Sequence, residues 1–247
     1  MKSLILLLMI MALTTAGSRG EATAWTALFQ EAQAAYDAGQ FDRAANLYQQ
    51  LEQQGQDNAT VLFNKGNALY RLGRIGAAVA AYQRALYERP RDPDVQANIR
   101  LVQQQVGALA AEPDARARFF GHLSQREWRD LGTVAYWLAA GLGALYALAR
   151  ARPGLKRAAQ VALTVALLSA GGWWHWQHFV RQPEAIVGQP NVKALFAPMP
   201  GALVHFALPE GSRVSVRETT GAWRKIAVGR QEGWVPATAC DTLSLPR

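Results

Sequence analysis

The chain of 247 residues has one cysteine, Cys240, so no internal disulfide can form. No base stands near Cys240 in sequence, which removes the usual arrangement for a thiol catalyst. Proline is missing from the first 89 residues, which leaves the N-terminal third open to uninterrupted helix. Histidine is scarce, at four residues. His175 and His178 stand at i and i+3, but two ligands fall short of the three or four a metal site needs. Paired carboxylates, a nucleophile triad and a metal motif are all missing, so neither an enzyme nor a cofactor is expected. Charge is missing from Gly132 to Ala149 and, with neutral histidines, from Ala158 to Phe179. A proton or ion pathway would usually need buried charge in such stretches, so transport by this chain alone is not expected.

Those two uncharged stretches organise the chain. Leu131–Ala149 and Ala158–Val180 flank the basic turn 150–157, and each can form about 20 residues of helix, enough for a hydrocarbon core of about 30 Å. Pro153-Gly154 suits a tight turn between them. Trp128, Tyr136, Trp137, Trp173, Trp174 and Trp176 gather toward the ends, as in an interfacial belt. The expectation is a transmembrane helical hairpin over 131–180. A buried hairpin in a soluble protein is the alternative, but nothing else in the chain supplies a core able to surround it. Gly141 and Gly143 are expected to let the helices approach, and Gly171-Gly172 to loosen the second one.

The N-terminus reads Met1-Lys2-Ser3, then the apolar run Leu4–Leu13, then small residues. That is the pattern of a signal peptide within 1–20. Cleavage after Ala16, Gly20 or Ala24 remains open, and a retained anchor is the alternative. The net charge of +8 is unevenly spread. Between Glu21 and Glu112 stand ten acidic and eight basic residues, whereas the turn carries Arg150, Arg152, Lys156 and Arg157 with no acid. The positive-inside rule puts the turn in the cytoplasm, and a signal peptide puts the chain from about Glu21 outside. The two signals agree on exported N- and C-terminal modules, so nucleic acid is a poor explanation for the basic balance.

Between Trp25 and Glu88 the chain repeats itself. The segment from Ala35 to Leu51 matches Leu69 to Ala85 at a constant offset of 34 residues. This resembles the tetratricopeptide repeat. Gly39 and Gly73 match the turn between helices A and B, Phe41 and Ile75 the apolar residue opening helix B, and Ala44 and Ala78 the small crossing position. Tyr48 and Tyr82 match the helix B aromatic, Gly66 the small residue of helix A, and Pro90 the closing proline. The first unit departs, with Ala32 and Gln56 at the small and closing positions. A third unit starts at Pro93 but loses the glycine turn, so its helix reads as a cap. The resemblance implies an α-solenoid over 21–111 with a concave, partner-binding groove. Asn64, Asn67 and Arg71 share one face of a helix and are groove candidates; ordinary exposed polar residues are the alternative reading.

The stretch 112–130 reads as linker and juxtamembrane segment. Phe119 to Leu123 is apolar enough to lie at a bilayer surface, and Ser124 with Glu127 forms a capping box. From Ala185 onward short β-type runs replace helix formers: 185–187, 192–194, 203–206, 213–217, 223–228 and 233–235. A bulge or register change is expected within 223–228. Leu208-Pro-Glu-Gly211-Ser-Arg-Val214, Gly221-Ala-Trp223-Arg-Lys-Ile226 and Gly233-Trp234-Val235-Pro236 resemble a bacterial SH3-type domain over 185–247, which implies a small β-barrel that binds cell-wall peptides or proteins. Trp223, Arg224 and Trp234 are its surface candidates, and core filling by the tryptophans is the alternative.

The expected fold is therefore α + β and multidomain: an N-terminal tetratricopeptide α-solenoid, a transmembrane hairpin and a C-terminal SH3-like β-barrel. That order resembles the BatE-type proteins of the Bacteroides aerotolerance operon. The resemblance implies a bacterial inner-membrane scaffold with both modules facing the periplasm. It would work with membrane proteins carrying von Willebrand A domains, in envelope or oxidative-stress functions. Peptidoglycan binding through the SH3-type module is the second expectation.

Overall fold

A computed structural model describes residues 25–109, 119–148, 153–179 and 184–243. The expected signal peptide (1–20), the first part of the linker and juxtamembrane segment (112–118) and the start of the basic turn (150–152) lie outside the described residues. The N-terminal part is helical repeat, the C-terminal part antiparallel sheet, and a helical hairpin separates them.

Five helices form the repeat region: α1 (25–37), α2 (Phe41–Gln53), α3 (Ala59–Arg71), α4 (Ile75–Glu88) and α5 (Pro93–Val106). Glycine turns end α1 and α3, with Gly39 at φ 74° and Gly73 at φ 72°, a conformation that residues with a Cβ rarely adopt. Asn58 and Asp92 cap α3 and α5 through their side-chain oxygens. Ala44, Ala78, Tyr48 and Tyr82 are buried where the helices cross. At Gly66 a Cβ would stand 2.5 Å from the Tyr82 ring, so the helix A glycine makes room for the helix B aromatic. Between the pairs lies an ionic knot. Glu52 binds Lys65 at 2.7 Å and also Arg84, which approaches Asp57 at 3.6 Å. Burial pushes the Glu52 carboxyl up, but the hydrogen bonds from Lys65 and Arg84 outweigh it and hold the group below its ordinary value.

The hairpin consists of α6 (Gln125–Leu148) and α7 (Pro153–Phe179). At the start of α6 the capping box is formed: Ser124 N donates to Glu127 at 2.8 Å, and Glu127 N donates to the Ser124 hydroxyl at 3.3 Å. Only α6 is long and apolar enough to cross a membrane among the described helices, and just 6% of its most apolar window is buried. In α7 Gln160, Thr164, Ser169 and the Trp173-Trp174-His175 run dilute the apolar stretch. Pro153-Gly154 opens α7 rather than forming a separate turn. The glycines act differently from expectation. No atom lies within 4 Å of a Cβ built at Gly141 or Gly143. The close approaches are at Gly132, beside Ser169, and at Gly172, where a Cβ would meet the Trp128 ring at 2.3 Å. Gly172 tightens the hairpin rather than loosening it.

Seven strands follow: β1 (Glu184–Val187), β2 (Val192–Leu195), β3 (Val204–Leu208), β4 (Arg213–Thr220), β5 (Trp223–Val228), β6 (Gln231–Pro236) and β7 (Cys240–Thr242). They form one antiparallel sheet in the order β3-β2-β6-β5-β4-β1-β7. Its end strands do not pair, so the sheet is not a closed barrel. The irregularity expected in 223–228 falls on the facing strand, between Val216 and Glu218. Leu208, Val214, Ile226 and Val235 fill the sheet's own core.

Strand periodicity explains how sheet and repeats join. Ala185 and Val187 point into the sheet core, while Ile186 between them points into the helical core and is fully buried there. Leu243 joins the same helical core. Glu210 Oε1 accepts from Gly76 N at 2.7 Å and caps α4, whose own N-cap residue Arg74 supplies no side-chain cap. At Gly76 a Cβ would stand 2.5 Å from Val187 O, so a side chain there would push the sheet away. The end of α5 is tied as well: Leu109 N donates to Ser212 Oγ at 3.0 Å, and Arg213 N donates to Leu109 O at 3.1 Å. The sheet thus covers the face of α4 that a following helix B would cover in a longer array.

Replacing Ile186 by Ala is expected to cost about 2–5 kcal/mol. The ellipticity at 222 nm of detergent-solubilised protein should then be lost at lower temperature, although the residue lies in a strand. An unmoved helical melt would show that sheet and repeats fold independently.

Candidate functional site

The candidate site is the concave face made by α1, α3 and α5. Asn64, Asn67 and Arg71 lie on one face of α3, spaced three and four residues apart. Adding the 34-residue period places Asn98, Leu101 and Gln105 at the equivalent positions of α5. These three were missed in the sequence reading, although the period alone would have found them.

The asparagines are partly committed to holding the repeats together. Tyr48 stands beside Asn64, and Tyr82 beside Asn98, so the same neighbourhood recurs one period on. Tyr82 Oη also donates to Asn67 Oδ1 at 2.7 Å, and Asn98 Nδ2 donates to the same oxygen at 3.0 Å. The Asn67 Nδ2 group keeps no partner among the described residues, which leaves two donors for a bound backbone carbonyl. Arg71 is exposed, with its guanidinium 4.2 Å from the centroid of the Phe41 ring. That cation–π contact is worth about 0.5–1 kcal/mol at an exposed site and leaves the in-plane donors open to a carboxylate. Tyr70 Oη donates to Gln105 at 2.9 Å. Leu101 is half exposed, at 50%, and gives the face an apolar point. The arrangement can hold an extended chain by its backbone, pair one carboxylate and receive one apolar side chain.

On the sheet, register separates the three other candidates. Trp223 pairs with Pro236 and Lys225 with Trp234, so both tryptophans share one face with Lys225 and Pro236. Arg224 pairs with buried Val235 on the opposite face, and its guanidinium donates to Cys240 O. The tryptophans are half-buried and stand outside the sheet's buried core, and Lys225 is ion-paired to Glu232 at 3.0 Å. Arg224 is thus not part of their surface. Cys240 is buried, and burial pushes its thiol up to about 11, an inert state. Among the described residues no three His, Cys, Asp or Glu groups are placed to hold a metal.

A protein-family model for the tetratricopeptide repeat matches residues 29–93. No curated protein matches the chain. The chain therefore contains tetratricopeptide repeats, which give it a role in protein–protein interaction.

Two measurements test the face as described. Asn67→Ala removes the acceptor shared by Tyr82 and Asn98 and should cost about 1–3 kcal/mol, against well under 1 kcal/mol for Arg71→Ala. Equal losses in thermal unfolding would contradict the shared-acceptor geometry. Burial pushes the Tyr48 phenol up to about 12, against a smaller lowering by the Asn64 hydrogen bond. A raised folded value means that its contribution to stability is intact below pH 10 and is lost as pH rises from 10 through 12. Helical ellipticity at 222 nm should hold up to about pH 10 and fall as the pH rises through about 12.

Proposed function

We propose that this protein is a membrane-anchored scaffold that captures partner proteins in the concave face of its repeats. The observation that carries the reading is the unfilled polar face of α3 and α5, where Asn67 Nδ2 and Arg71 keep open donors beside exposed Leu101. Anchoring is supported by α6, whose Val134, Trp137, Leu138 and Leu145 are exposed. Such a surface is costly in water and ordinary in lipid. The exposed Val161, Leu163, Leu167 and Leu168 of α7 support a second span. A cleft of about 460 Å³ between the helices is lined by apolar residues only, including Leu131, Leu138 and Val165, which suits lipid chains. In the proposed arrangement the repeats and an SH3-type sheet face the periplasm of a bacterial inner membrane. The partners are membrane proteins, of which von Willebrand A-domain proteins are the first to test, in envelope maintenance or oxidative-stress tolerance. The protein acts by binding and catalyses no reaction.

A second reading rests on the shared face of Trp223 and Trp234. An aromatic pair on the outside of the sheet suits a cell-wall peptide, which would make the protein a peptidoglycan anchor or sensor.

Deleting whole modules would expose the core that sheet and repeats share, so point variants make the cleaner test. Full-length protein solubilised from membranes should retain its partners. Arg71→Glu should lose them at least tenfold, by repelling a carboxylate, while Trp234→Ala keeps them. Retention of partners by Arg71→Glu, with binding to isolated murein lost in Trp234→Ala, would favour the second reading.

A further inference from the structure

The repeat face is not free to wander. The C-terminal end of α4 is fastened to the upper end of the hairpin at several points. The Tyr87 and Trp176 rings meet edge-on with centroids 5.7 Å apart. Glu88 pairs with Arg126 at 3.3 Å, and Arg91 pairs with Glu127. Tyr87 Oη donates to Glu184, which also receives Arg213 through Nε at 3.0 Å and Nη2 at 2.7 Å. Repeats, hairpin and sheet therefore meet in one packed joint.

That joint bounds the height of the groove. Tyr82 precedes Tyr87 by five residues, about 7.5 Å along the α4 axis. Asn67 is 2.7 Å from Tyr82 Oη, and Tyr87 touches Trp176. Allowing for side-chain lengths, Asn67 lies within about 25 Å of Trp176 whatever the tilt of α4. Trp128 and Trp176 are themselves pinned at the hairpin end, with their indole N–H groups donating to Phe120 O at 2.9 Å and Leu123 O at 3.0 Å. Within one turn of Trp176, Trp173 and Trp174 are exposed at 43% and 58%, and tryptophans so placed mark the interfacial level of a span.

We propose that the groove of α3 and α5 takes the juxtamembrane segment of a second membrane protein, an extended stretch within about eight residues of its transmembrane helix, since eight extended residues reach about 26 Å. This rests on the anchored-scaffold reading and specifies its partner. The segment carries a carboxylate for Arg71, an apolar side chain for Leu101 and open backbone for Asn67. A soluble peptide gains nothing from a groove held so low, whereas a segment already tethered to the same bilayer binds at raised effective concentration.

The test uses the full chain in its native membranes, with benzoylphenylalanine replacing Leu101, and sequences the cross-linked peptides. Peptides from within about ten residues of a transmembrane helix of another protein, lost on adding Arg71→Glu, are the expected result. Peptides from soluble proteins, from distant parts of membrane proteins or from another copy of this chain would overturn the proposal while leaving groove binding intact. No cross-link from this position would overturn the groove reading itself. Geometry is checked separately by spin-labelling Leu101→Cys, because buried Cys240 resists the reagent. In vesicles with gadolinium-chelate headgroups the label should relax strongly, and a label unaffected by the surface would also sink the proposal.

Discussion

The Glu184 carboxylate is held between three parts of the chain. It accepts both donors of the Arg213 fork and the Tyr87 hydroxyl, and little of the ion pair reaches solvent. Removing either partner of such a buried pair typically costs about 3–5 kcal/mol, because the remaining charge is left without compensation. The arrangement therefore has little freedom to slip. Glu184 begins β1, Arg213 begins β4, and Tyr87 ends the last repeat helix pair. Fixing these three fixes the register that sends Ile186 into the helices and Ala185 and Val187 into the sheet. The pKa shifts follow from the same joint. Burial and the Glu184 charge push the Tyr87 phenol up. For Arg213 burial acts downward, but Glu184 outweighs it and raises the guanidinium further.

A short repeat array has a general difficulty, which this joint addresses. Two helix pairs and a cap helix leave one side of α4 apolar and open, and arrays of this kind are stable only when such ends are covered. Here the cover is a sheet from the far end of the sequence. It brings Ile186 and Leu243 for the core, Glu210 for the helix cap and Ser212 for the end of α5. Because it covers the face away from Asn64, Asn67 and Arg71, the concave face stays open.

The helical repeats were legible because their signals are local. Glycine turns, crossing alanines and the aromatic of helix B recur at a fixed interval, and each acts on its near neighbours. The strands were legible as short β-type runs between turns, except β7, which has only three residues and none of that character. What joins the modules was harder, since Glu210 lies 134 residues from the Gly76 it caps. A trace of it is nonetheless in the repeat. Unit one carries Asp42, Arg43 and Asn46 on its outer face, and unit two carries Gly76, Ala77 and Ala80 at the same positions. A repeat that exchanges polar residues for small ones on one face is preparing that face for burial. The site was half legible for a related reason. Helical spacing grouped Asn64, Asn67 and Arg71, but only the contacts show Asn64 and Asn67 serving the packing and Arg71 left available. Trp223 and Arg224 looked like neighbours in sequence, and the two-residue period of the strand sends them to opposite faces.

This division of labour bears on how the groove would recognise a partner. Asn67 cannot change without disturbing Tyr82 and Asn98, so the amide ladder is bound to the fold and reads backbone, which every ligand shares. Discrimination then falls to positions that the fold does not need. Arg71 leans on Phe41 through a weak contact, and Leu101 is half exposed, so both can vary at small cost to stability. Fold and specificity are thereby carried by different residues of the same helices. A partner set could drift by substitutions at 71 and 101 while the array, its sheet cover and the joint at Glu184 stay unchanged.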